Sequence, residues 1–254
     1  MRSKARNNHF EKSARVIGAT VILLCSPQTM LAQCRTEAKL LVSPSHLRTS
    51  VAALHAKAKS QRQIYLYDTD GRELLLHGVI LRLRTGARGD LTVKLRWDNN
   101  NPERAPEKGK STKCEVDIGG SAALTSYSLV TGWKQESAPE TGEALYAALS
   151  EAQQQLLTTA GVAIDWHRVK RIAEIRATEW HVRGNESLNE VSIELWEWPS
   201  GKVLELSAKA NNPENGQSKL DLLLRMALAS GLVIEKDQEP KATIILHAIT
   251  TATH

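Results

Sequence analysis

From residue 35 onward, apolar and polar residues alternate in short runs separated by turn residues, the period of strands with one apolar face. The runs predict strands over 36–42, 63–67, 79–85, 91–97, 112–118, 169–183, 190–196 and 202–209. Helical period replaces alternation over 44–60, opened by Ser43-Pro44, over 139–159, which stops before Gly161, and over 218–230, which stops before Gly231. Turns are marked by Asp70-Gly71, by the segment from Gly86 to Gly89, by Pro199-Ser200-Gly201 and by Asn211-Asn212-Pro213. A polar, Pro-containing stretch at 98–110 reads as a loop. No repeat or Gly/Ser linker divides residues 33–254, which therefore read as one domain.

Within the strands, charged residues recur two positions apart, so both members of each pair point to the same face. Arg35, Glu37 and Lys39 share a face, as do Arg82 with Arg84, Lys94 with Arg96, Glu115 with Asp117, Glu174 with Arg176, and Glu205 with Lys209. The opposite faces carry Leu81 and Leu83, Val93 and Leu95, Val116 and Ile118, Leu204 and Leu206, which the amphipathic helices can cover. The charged faces then meet either bulk water or one another inside a curled, closed sheet. Bases dominate 79–85 and 91–97, whereas acids gather at Glu37, Glu115, Asp117, Glu194 and Glu205. Closure would set a basic wall against an acidic one. Guanidinium and ammonium groups suit phosphate oxygens, and carboxylates suit a divalent cation.

The order of these residues resembles that of the CYTH, or triphosphate tunnel metalloenzyme, superfamily. The segment Thr36-Glu37-Ala38-Lys39 is similar to its E-x-E-x-K opening strand. Tyr65-Leu66-Tyr67-Asp68-Thr69 followed by Gly78-Val79-Ile80-Leu81-Arg82-Leu83-Arg84 resembles its Y-x-D-T and G-x-x-L-R-x-R pattern. Leu91-Thr92-Val93-Lys94-Leu95-Arg96, Glu115-Val116-Asp117, Lys170, Arg171, Arg176, Trp180, Ile193-Glu194-Leu195 and Leu204-Glu205-Leu206-Ser207 continue it. The resemblance implies an α+β fold, a closed antiparallel β-tunnel of about eight strands with helices packed outside. It further implies a triphosphate or polyphosphate ligand, held by Arg82, Arg84, Lys94, Arg96, Lys170, Arg176 and Lys209. Glu37 and Lys39 would be catalytic, and Mg or Mn would sit on Glu37, Glu115, Asp117, Glu194 and Glu205. Two positions depart from the family pattern: Arg35 and Ser207 stand where metal-binding glutamates are expected. Three readings follow, a metal-dependent triphosphatase, a polyanion-binding module without catalysis, and a tunnel whose charges only pair with each other.

Composition adds the compartment. The net charge of +5 invites a nucleic-acid reading, but Arg2, Lys4, Arg6, Lys12 and Arg15 against Glu11 place +4 of it within residues 1–32. The remainder is nearly neutral, and no nucleic-acid partner is expected. The basic front, the ten apolar or small residues of 16–25 and the small Ala32 lay out a secretory signal peptide cleaved after Ala32. The expected product is exported, periplasmic or secreted, with no transmembrane segment, because spanning takes roughly 20 apolar residues. A lipoprotein acylated at Cys34 is the alternative, against which Gln33 occupies a position that wants a small residue. Cys34 and Cys114 remain after cleavage, either paired or as independent thiols. With two cysteines no thiolate zinc site can be assembled, and the eight histidines show no two-His metal spacing on one helix. Trp97, Trp180, Trp196 and Trp198 read as packing residues, as do Tyr65 and Tyr67.

Overall fold

The computed structural model describes residues 34–98, 112–119, 123–161, 163–182 and 191–251. The expected signal peptide and nearly all of the 98–110 loop lie outside them. Nine strands are described: β1 (Arg35–Val42), β2 (Ala56–Asp68), β3 (Val79–Thr85), β4 (Gly89–Asp98), β5 (Lys113–Ile118), β6 (Leu124–Trp133), β7 (Lys170–Val182), β8 (Val191–Trp198) and β9 (Gly201–Ala210). They close into a barrel in the order β1-β5-β6-β4-β3-β2-β7-β8-β9. Every pairing is antiparallel except β1 with β5, which runs parallel and brings Glu37 beside Asp117.

Closure resolves which face looks where. The apolar residues on the outer faces of β1, β8 and β9 are covered by α5 (Pro213–Ala229), with Leu223 and Ala227 fully buried among Leu40, Ile193, Leu204 and Leu206. The outer faces of β3 and β4 are covered by α3 (Gly142–Ala148) and α4 (Glu151–Thr159) through Leu145, Leu149, Leu156 and Leu157. At the head of α4, Ser150 and Gln153 form a reciprocal capping box. Buried Gln153 also donates to the carbonyl oxygens of Leu91 and Leu129, tying α4 to β4 and β6. Gly216 lets α5 approach closely, since a Cβ there would meet Thr36 Cγ2 at 2.4 Å.

The chain departs from its sequence pattern in five places, the first being β6, where no strand is expected. The helix expected over 44–60 shrinks to a short turn and α1 (Leu47–Ala53), because His55 takes a left-handed backbone and Ala56 already pairs with Val182. The helix expected over 139–159 breaks into α3 and α4 at Leu149, whose backbone is extended. A one-turn helix, α2 (Glu73–Leu76), intervenes before β3. Most consequentially, α6 (Lys241–Thr251) is not packed outside. Its Ala242, Ile245 and Leu246 are buried with the inward residues Leu41, Ile64, Leu66, Ile80, Ile175, Trp196 and Val203. One end of the barrel is therefore filled by a helix, and the tunnel becomes a cup.

The chain entering α6 is anchored to the free edge of β1. β1 pairs with β5 only as far as Ala38, so beyond it the edge is open. Val233 accepts from the Ser43 N–H, and the Glu235 N–H donates to Leu41. The Gln238 carboxamide accepts from the Leu41 N–H at 2.8 Å and donates back to the Leu41 carbonyl at 3.0 Å. This meets the requirement that buried backbone groups be paired.

Candidate functional site

The cup holds a cavity of about 690 Å³, within the roughly 300–1,000 Å³ usual for small-molecule sites. Charged side chains line it, as alternation places them. β1 contributes Glu37 and Lys39; β3 Arg82 and Arg84; β4 Asp90, Lys94 and Arg96; β5 Glu115 and Asp117; β8 Glu194; and β9 Glu205 and Lys209. Every expected site residue therefore faces this cavity except two. Lys170 and Arg176 lie on exposed outer positions, where Lys170 bonds Asp70 at 2.9 Å and Arg176 bonds Glu197 at 2.9 Å. The reason is register. Glu179 and His181, odd-numbered on β7, are the residues that line the cavity, and the even-numbered Arg176 falls on the other face.

Three of the interior's ion-paired groups hold the carboxylates expected to bind metal. In the first, the Lys39 ammonium bonds Asp117 Oδ1 at 2.8 Å and lies 3.3 Å from Glu37, while Arg96 Nη2 lies 3.6 Å from Asp117 Oδ2. Burial opposes the Lys39 charge, but attraction to Asp117, Glu37 and Glu205 outweighs it and raises the ammonium above its ordinary range. Burial would raise Asp117, yet Lys39, Lys94 and Arg96 hold it well below the usual carboxylate range. In the second, Lys94 bonds Glu115 at 2.9 Å. In the third, Lys241 of α6 bonds Glu205 at 2.7 Å and also bonds Glu194. Burial works against the Glu194 charge, but Lys241 brings the carboxyl down to about 2.

The wall formed by β3 and β4 is less well balanced. Arg84 reaches Asp90 only at 3.4 Å, and Arg82 reaches Thr92 Oγ1 at 3.4 Å. Nε of Arg82, Nε of Arg84, and Nε and Nη1 of Arg96 are buried with no hydrogen-bond partner among the described residues. Burial and then the neighbouring Arg84 charge bring the Arg82 guanidinium down to about 9, although Asp90, Glu194 and Glu115 act the other way. A guanidinium does not readily give up its proton, so such a group calls for an anion.

The five carboxylates expected to hold a divalent cation do not form a ligand set. Among the described residues, no group of three or more His, Cys, Asp or Glu is placed to hold a metal ion. Glu37 and Asp117 are taken by Lys39, Glu115 by Lys94, and Glu194 and Glu205 by Lys241. An ammonium already supplies the charge a cation would bring. As arranged, the donors do not fit Mg or Mn.

Sequence reasoning misses several cavity residues. Lys241 is one lysine among 33 lysines and arginines, follows Pro240 and sits in no motif. Lys59 and Arg62, which pair with Glu179 at 2.8 and 3.2 Å, fall where a helix was expected or at a strand's start. Cys34 and Cys114 form a disulfide that ties the start of β1 to β5, with Cα atoms 4.7 Å apart. Acylation of Cys34 is incompatible with that bond.

No family model and no curated protein matches the chain. Solved structures do. An adenylyl cyclase candidate from Hippeastrum in which triphosphatase activity is dominant aligns at TM-score 0.53 and 18% identity, covering 84% of this chain and 95% of that one. An adenylate cyclase candidate from Bacillus halodurans aligns at TM-score 0.55 and 15% identity, covering 84% and 97%. At such identities the likeness concerns architecture, and it agrees with the motif order along the strands. The chain shares the closed-barrel fold of these solved structures.

Proposed function

We propose that the cup binds a linear triphosphate or the end of a polyphosphate chain on the Arg82, Arg84 and Arg96 wall. The observation that carries this reading is the set of buried guanidinium nitrogens without partners, on arginines that line a cavity of ligand size. Buried donors left unpaired cost about 1–3 kcal/mol each, more when charged, and phosphate oxygens would satisfy them. Lys94 extends the same wall. The test is calorimetric titration with tripolyphosphate in the presence of EDTA. Binding is expected, and Arg82→Ala or Arg84→Ala should each weaken it about tenfold or more, as a charge-assisted hydrogen bond is worth about 1.5–3 kcal/mol. Absence of binding, or binding that both variants leave intact, would sink the reading.

A second reading is hydrolysis of the bound triphosphate, favoured because Glu37 and Lys39 line the same cavity as the arginines and because a protein of this fold has a dominant triphosphatase activity. Phosphate release from tripolyphosphate with Mg or Mn, abolished in Glu37→Ala, would support it. Binding without release leaves the module reading in place. Export belongs to the same proposal: the basic and apolar layout of residues 1–32 directs it, and a disulfide suits an oxidising compartment. Mass spectrometry of the mature protein should find Gln33 at its N-terminus.

A further inference from the structure

Glu194 and Glu205 stand directly opposite one another on β8 and β9 and both line the cavity. Two carboxylates in that relation repel, and neither side chain is well exposed to water, at 22% and 7%. Such a pair needs a cation, and two carboxylates with added water are donors that a hard divalent ion accepts. In this chain the cation is covalent. The Lys241 ammonium bonds both carboxylates, is itself only 8% exposed, and lies 4.8 Å from the centroid of the Trp196 ring.

The position of that lysine has a local cost. It is the first residue of α6, where the helix dipole disfavours a cation, and no acid in the first turn offsets it. The compensation comes only from the facing strands. Nor is the lysine free to swing away, because its helix is packed into the barrel by Ala242, Ile245 and Leu246. Arg72 Nε donates to the Leu246 carbonyl at 2.8 Å, and Gln238 clamps the entering chain to Leu41.

We infer that the ε-ammonium of Lys241 is the resident cation of the Glu194–Glu205 pair, and that the pair becomes a divalent-cation site only when this ammonium is removed. An ammonium and a divalent ion cannot share two carboxylates at these distances, since their mutual repulsion in a water-poor site exceeds what either gains. It follows that tripolyphosphate needs no metal on this pair and binds with EDTA present. That corollary rests on the polyanion reading above, whereas the exchange of ammonium for metal does not.

The test is Mn binding to the full chain, followed by the electron paramagnetic resonance signal of free Mn. The unaltered protein should bind Mn at the cavity only weakly, and its melting temperature should be the same in Mn and in EDTA. Lys241→Met, of similar length and neutral, should bind one Mn about tenfold or more tightly than the unaltered protein does, which is ~1.4 kcal/mol. Adding Glu194→Gln and Glu205→Gln should abolish that binding. Lys241→Ala provides a second variant, in which methylammonium should compete with Mn. The inference is overturned if the unaltered protein binds Mn as tightly as Lys241→Met. It is equally overturned if a folded Lys241→Met or Lys241→Ala binds none. Should neither variant fold, Mn binding by the unaltered protein decides alone. A failure of tripolyphosphate binding would leave these results untouched and count only against the polyanion reading.

Discussion

Asp117 is the residue on which the first ionic group turns. It accepts from Lys39 at 2.8 Å and faces Arg96 and Lys94, with its side chain only 8% exposed. Asp117→Asn would take the carboxylate from Arg96 and leave Lys39 with Glu37 alone. Breaking one side of a buried pair costs about 3–5 kcal/mol, a loss that urea denaturation should register. Acid should act on the same groups. Glu115, Asp117 and Glu194 have folded values lowered by their cationic partners, although burial pushes the other way. Their contribution is thus present above the unfolded carboxylate range near 4 and is lost as pH falls through the folded values, about 2 for Glu194. Glu205 has the opposite sign, since burial raises it despite Lys241, and it offsets part of the loss. Melting temperatures should fall steadily between about pH 4 and about pH 2; a flat profile would mean that the cluster contributes nothing. At this scale the sequence was legible wherever a charge lay on a strand, because a period of two leaves only two faces to choose between. Arg82, Arg84, Lys94 and Glu115 were found that way. Arg176, which the family likeness names, is turned outward by the register of β7.

Among the elements, strands with branched and alternating residues were readable and two others were not. β6 (Leu124–Trp133) carries Ser126 and Ser128 on its inner face against Thr125 and Tyr127 on the other, a contrast too low for alternation to register. α6 reads as KATIILHAITT, rich in β-branched residues that favour strands, and it is helical where the barrel end supplies an apolar socket and the open edge of β1 is already taken by the chain that precedes it. The first half of β2 fails in the reverse sense, where Ala and Lys suggest helix but pairing with β7 prevails. The disulfide bears on these elements directly. It joins β1 to β5 at the barrel's one parallel seam, where the Arg35–Ala38 register is short. With a separation of 80 residues, its loss should cost roughly 2–4 kcal/mol. Cys114→Ser, or reduction of the intact protein, should lower the melting temperature accordingly. An unchanged melting curve under reductant would mean that α5, packed over the same seam, holds it closed without the bond.

For the whole molecule, charge balance limits how a polyanion can enter. Ten lysines and arginines line the cavity against eight aspartates and glutamates, a surplus smaller than the charge of a triphosphate. The ligand must therefore bring cations with it, or the cavity must take up protons. With the Glu194 and Glu205 pair already served by Lys241, protons are the available route. Glu205 is the group nearest to accepting one, its carboxyl already raised by burial against the pull of Lys241 and Lys39. An added negative charge in the same cavity raises it further. Binding of tripolyphosphate should therefore be accompanied by proton uptake and should tighten as pH falls, as long as Asp117 stays ionised. Calorimetry in buffers of different ionisation enthalpy measures the number of protons directly. A slope of zero across buffers, together with a requirement for Mg, would mean that metal rather than protons balances the ligand. The pH dependence and the metal dependence thus separate the two routes by which a cup with this little surplus charge can hold so much of the opposite sign.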